Sequence, residues 1–304
     1  MRAFELIVVG HIMKEIIEFP DKKIGPVLGS PAAYSSVAAS VLGTITGIVS
    51  VIGKDMPKVL FSPLIDAGVD VSGLNVRHCN TRTTILTYDS IGDKKVIYEA
   101  VAPNILFEDI PKQYLDSSAF FVCPMDFEVP LDTVMMLKEK TEALLMTDLG
   151  GYGGTVSTFH PAFEHSGHGK LVKDIVAYFD IVKASSEDCR YLFPGSISDQ
   201  DALETLLRWG AKIAIITLGK DGSIISDGNH TCQIPSLKTN VVDTTGAGDV
   251  YCAAFISEFL RTKDIYVSGL HASAAASVLI EKTGGVVISR MPKDSIVRER
   301  LKKF

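Results

Sequence analysis

The chain of 304 residues, 46% hydrophobic and 22% charged, is long enough to bury a full core without metal or disulfide support and carries no bias toward disorder or collagen-like repeats. A net charge of -6 without any long basic run speaks against a nucleic-acid surface and a polybasic membrane anchor, which leaves a small molecule as the expected partner. Cys79, Cys123, Cys189, Cys232 and Cys252 form no CxxC pair, so neither a disulfide framework nor a zinc site is expected and a reducing cytoplasm fits, while no stretch reaches the roughly 18 apolar residues of a membrane span.

In chain order, the short apolar run Leu6-Ile7-Val8-Val9 is too brief for a signal peptide and reads as a first buried strand. Further apolar, β-rich runs at 45–52, 120–123, 144–146, 181–183 and 213–217 read as buried strands. Continuous runs of this kind predict a parallel sheet covered on both faces. Between them, helical spacing and plausible starts occur at 31–42, 57–67, 131–139, 202–209, 247–261 and 267–281. The expected class is α/β with a doubly wound, mostly parallel sheet. Residues 83–88 and 95–99 instead alternate polar and apolar side chains around the turn Ser90-Ile91-Gly92-Asp93, which predicts a hairpin with one wet face. Paired with 12–18 it would form a small sheet over a cleft. No linker or internal repeat divides the chain, so 1–304 reads as one domain with a lid at about 11–28 and 81–102.

The run Val241-Val242-Asp243-Thr244-Thr245-Gly246-Ala247-Gly248-Asp249-Val250-Tyr251 concentrates the chemistry. Glycines where a loop becomes a helix expose successive backbone N–H groups, and the positive end of the helix dipole adds to them, which suits phosphate oxygens. Phosphoryl transfer needs positioning, charge neutralisation and a group that accepts the hydroxyl proton, and Asp249 follows the last glycine directly. The alternative is that the glycines only permit close helix packing and Asp249 only complements the dipole.

Taken whole, the run from Asp243 to Asp249 resembles the carboxy-terminal signature of the ribokinase-like, PfkB-type carbohydrate kinase family. The family's amino-terminal signature is matched by Gly29-Ser30-Pro31-Ala32-Ala33-Tyr34 through Leu42-Gly43, with Ser30 in place of a second glycine. Val51-Ile52-Gly53-Lys54-Asp55, Asp66-Ala67-Gly68-Val69-Asp70-Val71 and Thr217-Leu218-Gly219-Lys220-Asp221-Gly222 follow in the family's order. The resemblance implies a ribokinase-like fold and an ATP- and Mg²⁺-dependent kinase for a hydroxyl of a small sugar or polyol, or a nucleoside. It implies Asp249 as catalytic base and Gly246, Ala247 and Gly248 as anion hole. Asp243, Thr217, Gly219, Lys220, Ser185 and Ser273 fall at nucleotide positions, and Glu15, Gly29, Tyr34 and Asp148 at acceptor positions. The family's metal-organising Asn-x-x-Glu element is matched by Ser185-Ser186-Glu187-Asp188, so Asp188 and Glu187 become indirect magnesium candidates; Ser185 as a plain helix cap is the competing reading. Glu15 and Tyr34 stand where the family often has aspartate and asparagine, which implies a changed acceptor. The segment Lys183-Ala184-Ser185-Ser186-Glu187-Asp188 and the aromatic Tyr34 are similar to the inositol kinase branch.

His160, His165 and His168 sit in a run containing Pro161 and Gly167 and read as a solvated loop rather than a zinc site. The glycines after Asp148 lack the GxGxxG of a dinucleotide fingerprint. His11 lies near the carboxyl end of the first strand but reads as structural. A non-catalytic metabolite sensor on the same fold is the rival from another class, and the lid hairpin offers an edge for a homodimer.

Overall fold

The computed structural model describes residues 4–88, 94–157, 168–193, 195 and 197–302. The amino-terminal half contains β1 (Leu6–Val9), β2 (Met13–Glu18), β3 (Lys23–Gly29), α1 (Pro31–Val41), β4 (Thr46–Gly53), α2 (Ser62–Asp66) and β5 (Asp70–Arg77). There follow β6 (Thr83–Tyr88), β7 (Lys94–Ala100), β8 (Ala119–Val122), α3 (Leu131–Lys140), β9 (Leu144–Asp148), α4 (His168–Val176), β10 (Ile181–Ser185) and α5 (Ser186–Leu192). The remainder is α6 (Asp199–Arg208), β11 (Ile213–Thr217), β12 (Ser223–Ser226), β13 (Thr231–Ile234), α7 (Ala247–Thr262), α8 (Ile265–Leu279) and α9 (Asp294–Leu301).

Nine strands form the main sheet in the order β13-β12-β11-β10-β9-β8-β1-β4-β5. Every pairing from β11 to β5 is parallel, and β12 and β13 continue it antiparallel. Side chains that alternate along β1 divide the core into two layers. Leu6 and Val8 join the cluster with α1, α7 and α8, whereas Ile7 and Val9 join the one with α3, α4 and α6. β11 repeats this, with Ile213 and Ile215 on the first face and Ala214 and Ile216 on the second. Both faces are therefore dry, which is why these strands read as unbroken apolar runs.

A second sheet of four strands, β3-β2-β6-β7, stands apart from the first. β2 pairs β6 in parallel, as expected, and β6 and β7 form the antiparallel hairpin; its expected turn falls outside the described residues. β3 was not anticipated, because Gly25 and Pro26 interrupt its pattern. The expected helix at 57–67 divides into a 3₁₀ turn at Lys58–Phe61 and the short α2, where Pro63 occupies the first turn. His160 and His165 fall outside the described residues, and His168 opens α4 rather than continuing a loop.

Candidate active site

Helix α7 begins where residues 235–245, which have no regular structure, meet Gly246. Gly246 has φ 81°, a left-handed conformation that favours glycine, and a Cβ there would come within 2.5 Å of the Tyr34 ring. In this turn Ala247 N donates to Thr244 O at 3.1 Å, and Asp249 falls in the first helical turn. Asp249 is half-buried, and its carbonyl accepts a 3.2 Å hydrogen bond from Ser35 Oγ of α1. Burial first, and then the Asp249 charge among others, raises the Tyr34 phenol and the Cys123 and Cys252 thiols.

Against the α7 N-terminus lies a cavity of about 870 Å³. It brings together Ser185, Glu187, Thr217, Gly219, Lys220, Ala247, Gly248 and Ser273 from the predicted set. Leu237, Val241, Ala276 and Ile280 give it an apolar wall, and Lys183, Arg190, Lys220 and Lys238 give it a cationic one. Such a division suits a flat base joined to phosphates. Ser273 Oγ donates to Pro235 O at 2.8 Å, fastening α8 to the loop that frames the cavity.

Glu15 and Gly29 belong to the second sheet, with Glu15 buried in β2 and paired with Val27. A Cβ on Gly29 would stand 3.0 Å from Glu15 Oε2, so glycine makes room for that carboxylate. Met13, Tyr98 and Met125 form a separate apolar cluster, with Val156 packed against it, between this sheet and the end of β8.

Three residues of the predicted set are engaged within the protein. Tyr34 is 2% exposed, its hydroxyl accepts from Arg290 Nη1 at 3.0 Å, and its ring lies against Gly246. Asp188 is buried, and all of its acceptor capacity is directed into the protein. Oδ1 accepts from Thr155 N and Oγ1 at 2.9 and 2.8 Å, and Oδ2 accepts from Ser185 N and Oγ at 2.8 and 2.7 Å. Ser185 Oγ in turn accepts from Asp188 N at 2.9 Å, completing a capping box at the start of α5. Asp148 points inward too, accepting from Gly150 N at 3.0 Å and from Lys183 Nζ at 2.8 Å.

Lys183 lines the cavity as well, and the motifs assigned it no role. It is 5% exposed on β10, with Nζ 4.0 Å from Asp188 Oδ2, and a methyl group at Gly248 would stand 3.4 Å from that nitrogen. Burial alone disfavours the ammonium, but Asp148 and Asp188 outweigh it and hold the lysine above its ordinary range. A positive charge thus lies next to Gly248 at the start of α7. The signal was visible, since a lysine in the apolar run Ile181-Val182-Lys183-Ala184 demands a buried partner.

Among the described residues no group of three or more His, Cys, Asp or Glu side chains gathers as a metal site, and no helix is long and apolar enough to cross a membrane. The profile of the pfkB family carbohydrate kinases matches residues 5–293. The cytidine kinase of Thermococcus kodakarensis is 27% identical over 267 residues, covering 86% of this chain and 90% of that one. The fructokinase of Xylella fastidiosa with bound ATP superposes with a TM-score of 0.85 at 18% identity, covering 98% of both chains. A pyrophosphate-dependent kinase of the ribokinase family, complexed with a pyrophosphate analog and myo-inositol, superposes with a TM-score of 0.78 at 20% identity, covering 94% of this chain and 98% of that one.

Proposed function

The chain belongs to the pfkB family of carbohydrate kinases, and from that premise we propose that it transfers the γ-phosphoryl group of ATP to a hydroxyl of a small polyhydroxylated acceptor, with Asp249 as base. One observation carries this reading: Asp249 stands in the first turn of α7, directly after Ala247 and Gly248, which line the nucleotide-sized cavity. An acceptor hydroxyl beside Asp249 loses its proton to the carboxylate as its oxygen attacks the γ-phosphorus, and the bond from that phosphorus to the bridging oxygen breaks to release ADP. The amides of residues 246–248 and the Lys183 ammonium hold the charge on the transferring group. Closure of the small sheet over the acceptor excludes water.

A magnesium ion fits this site as one carried by nucleotide phosphates. Magnesium keeps several waters and takes one or two carboxylates besides phosphate oxygens, so it requires no protein cage. With Asp188 committed to its capping box, Glu187, which is exposed at the cavity, is the carboxylate that would hold it. Bound there, the metal would supply further positive charge to the phosphates.

A sugar or cyclic polyol fits the carboxylate of Glu15 at the acceptor end. A nucleoside is the second reading, favoured by the apolar cluster of Met13, Tyr98 and Met125, against which a base could lie, and by the cytidine kinase relative. Release of ADP across inositols, pentoses, hexoses and nucleosides, with Asp249→Asn alongside, decides between them. A compound that stimulates only the parent protein names the acceptor. Silence across the panel with ATP bound would return the sensor reading. Pairing of two copies through the edges of β3 or β7, where Ile24 and Ile97 are exposed, belongs to the same proposal and is read by sizing in solution.

A further inference from the structure

Arg290 is among the most deeply buried side chains, 1% exposed, although it carries a permanent charge. Every edge of its guanidinium meets oxygen. Nε donates to Lys282 O at 2.8 Å, and Nη1 to Tyr34 Oη at 3.0 Å and to Gly284 O. Nη2 donates to Asp243 O at 3.0 Å and Thr245 O at 2.9 Å, and lies 3.2 Å from Asp243 Oδ2. These oxygens come from α1, from the segment entering α7 and from the segment following α8. The guanidinium also lies over the Tyr34 ring, 5.7 Å from its centroid, and that ring is the one against Gly246.

We propose that Arg290 is a built-in cation that positions the anion hole: its guanidinium draws the carbonyls of Asp243 and Thr245 together and presses Tyr34 under Gly246, fixing the directions of the amides at 246–248. This rests on the phosphoryl-transfer reading of that segment. The physical reason is that residues 235–245 belong to no strand or helix and need restraint from elsewhere. Part of it comes from Ile280 O, which accepts from Val242 N and Asp243 N at 2.8 and 3.1 Å. Those bonds hold the start of the turn. Arg290 holds its end, next to the amides themselves. A planar fork with five donors suits several converging carbonyls better than a single ammonium does. A misplacement of about 1 Å in such a site lowers turnover by about 10²-fold.

A merely structural arginine would affect stability alone, so the test reads turnover and local order. In Arg290→Ala, kcat should fall by about 10²-fold while the acceptor KM stays within about threefold. Backbone hydrogen exchange at 244–249 should accelerate at least about tenfold more than in the main sheet. Millimolar guanidinium chloride should restore both turnover and protection, and tetramethylammonium chloride at equal ionic strength, too large for the cage, should restore neither. A folded Arg290→Ala protein with kcat and exchange within about threefold of the parent would overturn the proposal, as would lost turnover with unchanged exchange at 244–249. If that variant does not fold, Arg290→Lys carries the same readouts, and parent-like values in it would also overturn it. If the parent phosphorylates nothing in the acceptor panel, the kinase reading fails by itself, and the exchange and guanidinium arms still decide whether Arg290 orders this loop.

Discussion

At the scale of single residues, the proposed mechanism divides the work around the start of α7 between a proton acceptor, Asp249, and a fixed cation, Lys183. Asp249→Asn keeps the size and removes the base, so turnover should fall by about 10²- to 10⁴-fold with nucleotide affinity retained, measured by ADP release and by calorimetric titration. Full activity in that variant would remove Asp249 from the mechanism. Lys183→Met presents a different case, because it leaves Asp148 and Asp188 buried without their cation. Breaking a buried pair in this way costs about 3–5 kcal/mol, read as a shift in denaturant midpoint. Adding Asp148→Asn should return part of that stability while turnover stays about 10²-fold low, which separates the role of the ammonium at the phosphate from its role in the core. At this scale the sequence was informative only where neighbours in the chain are neighbours in space. Asp249 and its glycines were legible because seven consecutive residues carry the signature. Arg290 was not, because its partners at Tyr34, Asp243, Thr245, Lys282 and Gly284 span more than 250 residues of the chain, as the separation of 256 between Arg290 and Tyr34 shows. Tyr34 was read as an acceptor-pocket residue, and nothing local reveals that its ring lies against Gly246 or that its hydroxyl accepts from Arg290.

At the scale of elements, α5 shows how one pattern serves two readings. Ser185 and Asp188 match the family's metal element by position, while their geometry is a capping box in which Asp188 also anchors Thr155 across 33 residues. Asp188→Asn should therefore lower stability by about 1–3 kcal/mol in chemical denaturation while leaving the magnesium dependence of turnover within about threefold. A large rise in the magnesium requirement would instead favour a ligand role. The junction of β1 with the second sheet makes a pH prediction. His11 Nδ1 accepts from Arg82 Nε at 3.0 Å and its Nε2 contacts Pro103 O at 3.0 Å, so these partners call for a neutral ring. Burial lowers its pKa to about 4, against the pull of Glu128 and with help from Arg82. The unfolded chain thus binds more protons between pH 6.5 and 4, and His11 removes stability as pH falls through that window. Asp126, raised by burial to about 7, acts in the opposite sense, and Glu128, where Arg82 and His11 overcome burial to give about 2, titrates below it. Comparing His11→Gln with the parent isolates the histidine: between pH 7.5 and 4.5 the parent should lose about 2–3 kcal/mol more. Equal losses would show that His11 is already charged or exposed. The inner strands β1, β4, β8, β9, β10 and β11 were legible because they are dry on both faces, whereas the edge strand β5 is only partly buried and β12 and β13 are short and antiparallel, and none of these three gave a continuous run.

At the scale of the whole molecule, the proposed mechanism sets a nucleotide region and an acceptor region on the two sides of one helix end. The nucleotide-sized cavity touches Ala247 and Gly248, and Asp249 follows directly in the first turn of α7. This separation was foreseeable in outline, since ligands of open α/β sheets collect at the carboxyl ends of the strands. The size of the cavity and the identity of its walls required the packing of α8 against the loop at 235–245, which no local pattern records. Two regions that meet only at the reacting atoms should be separable thermodynamically. ATP at about 100 times its dissociation constant stabilises the folded state by about 2.7 kcal/mol, which raises the melting midpoint by roughly 5 °C for a chain of this size. Asp249→Asn should retain that shift. Ala276→Trp, which fills the apolar wall of the cavity, should abolish it while leaving any shift produced by the acceptor unchanged. If the tryptophan removed both shifts, the two ligands would share one site, and Asp249 could not stand between them as the base.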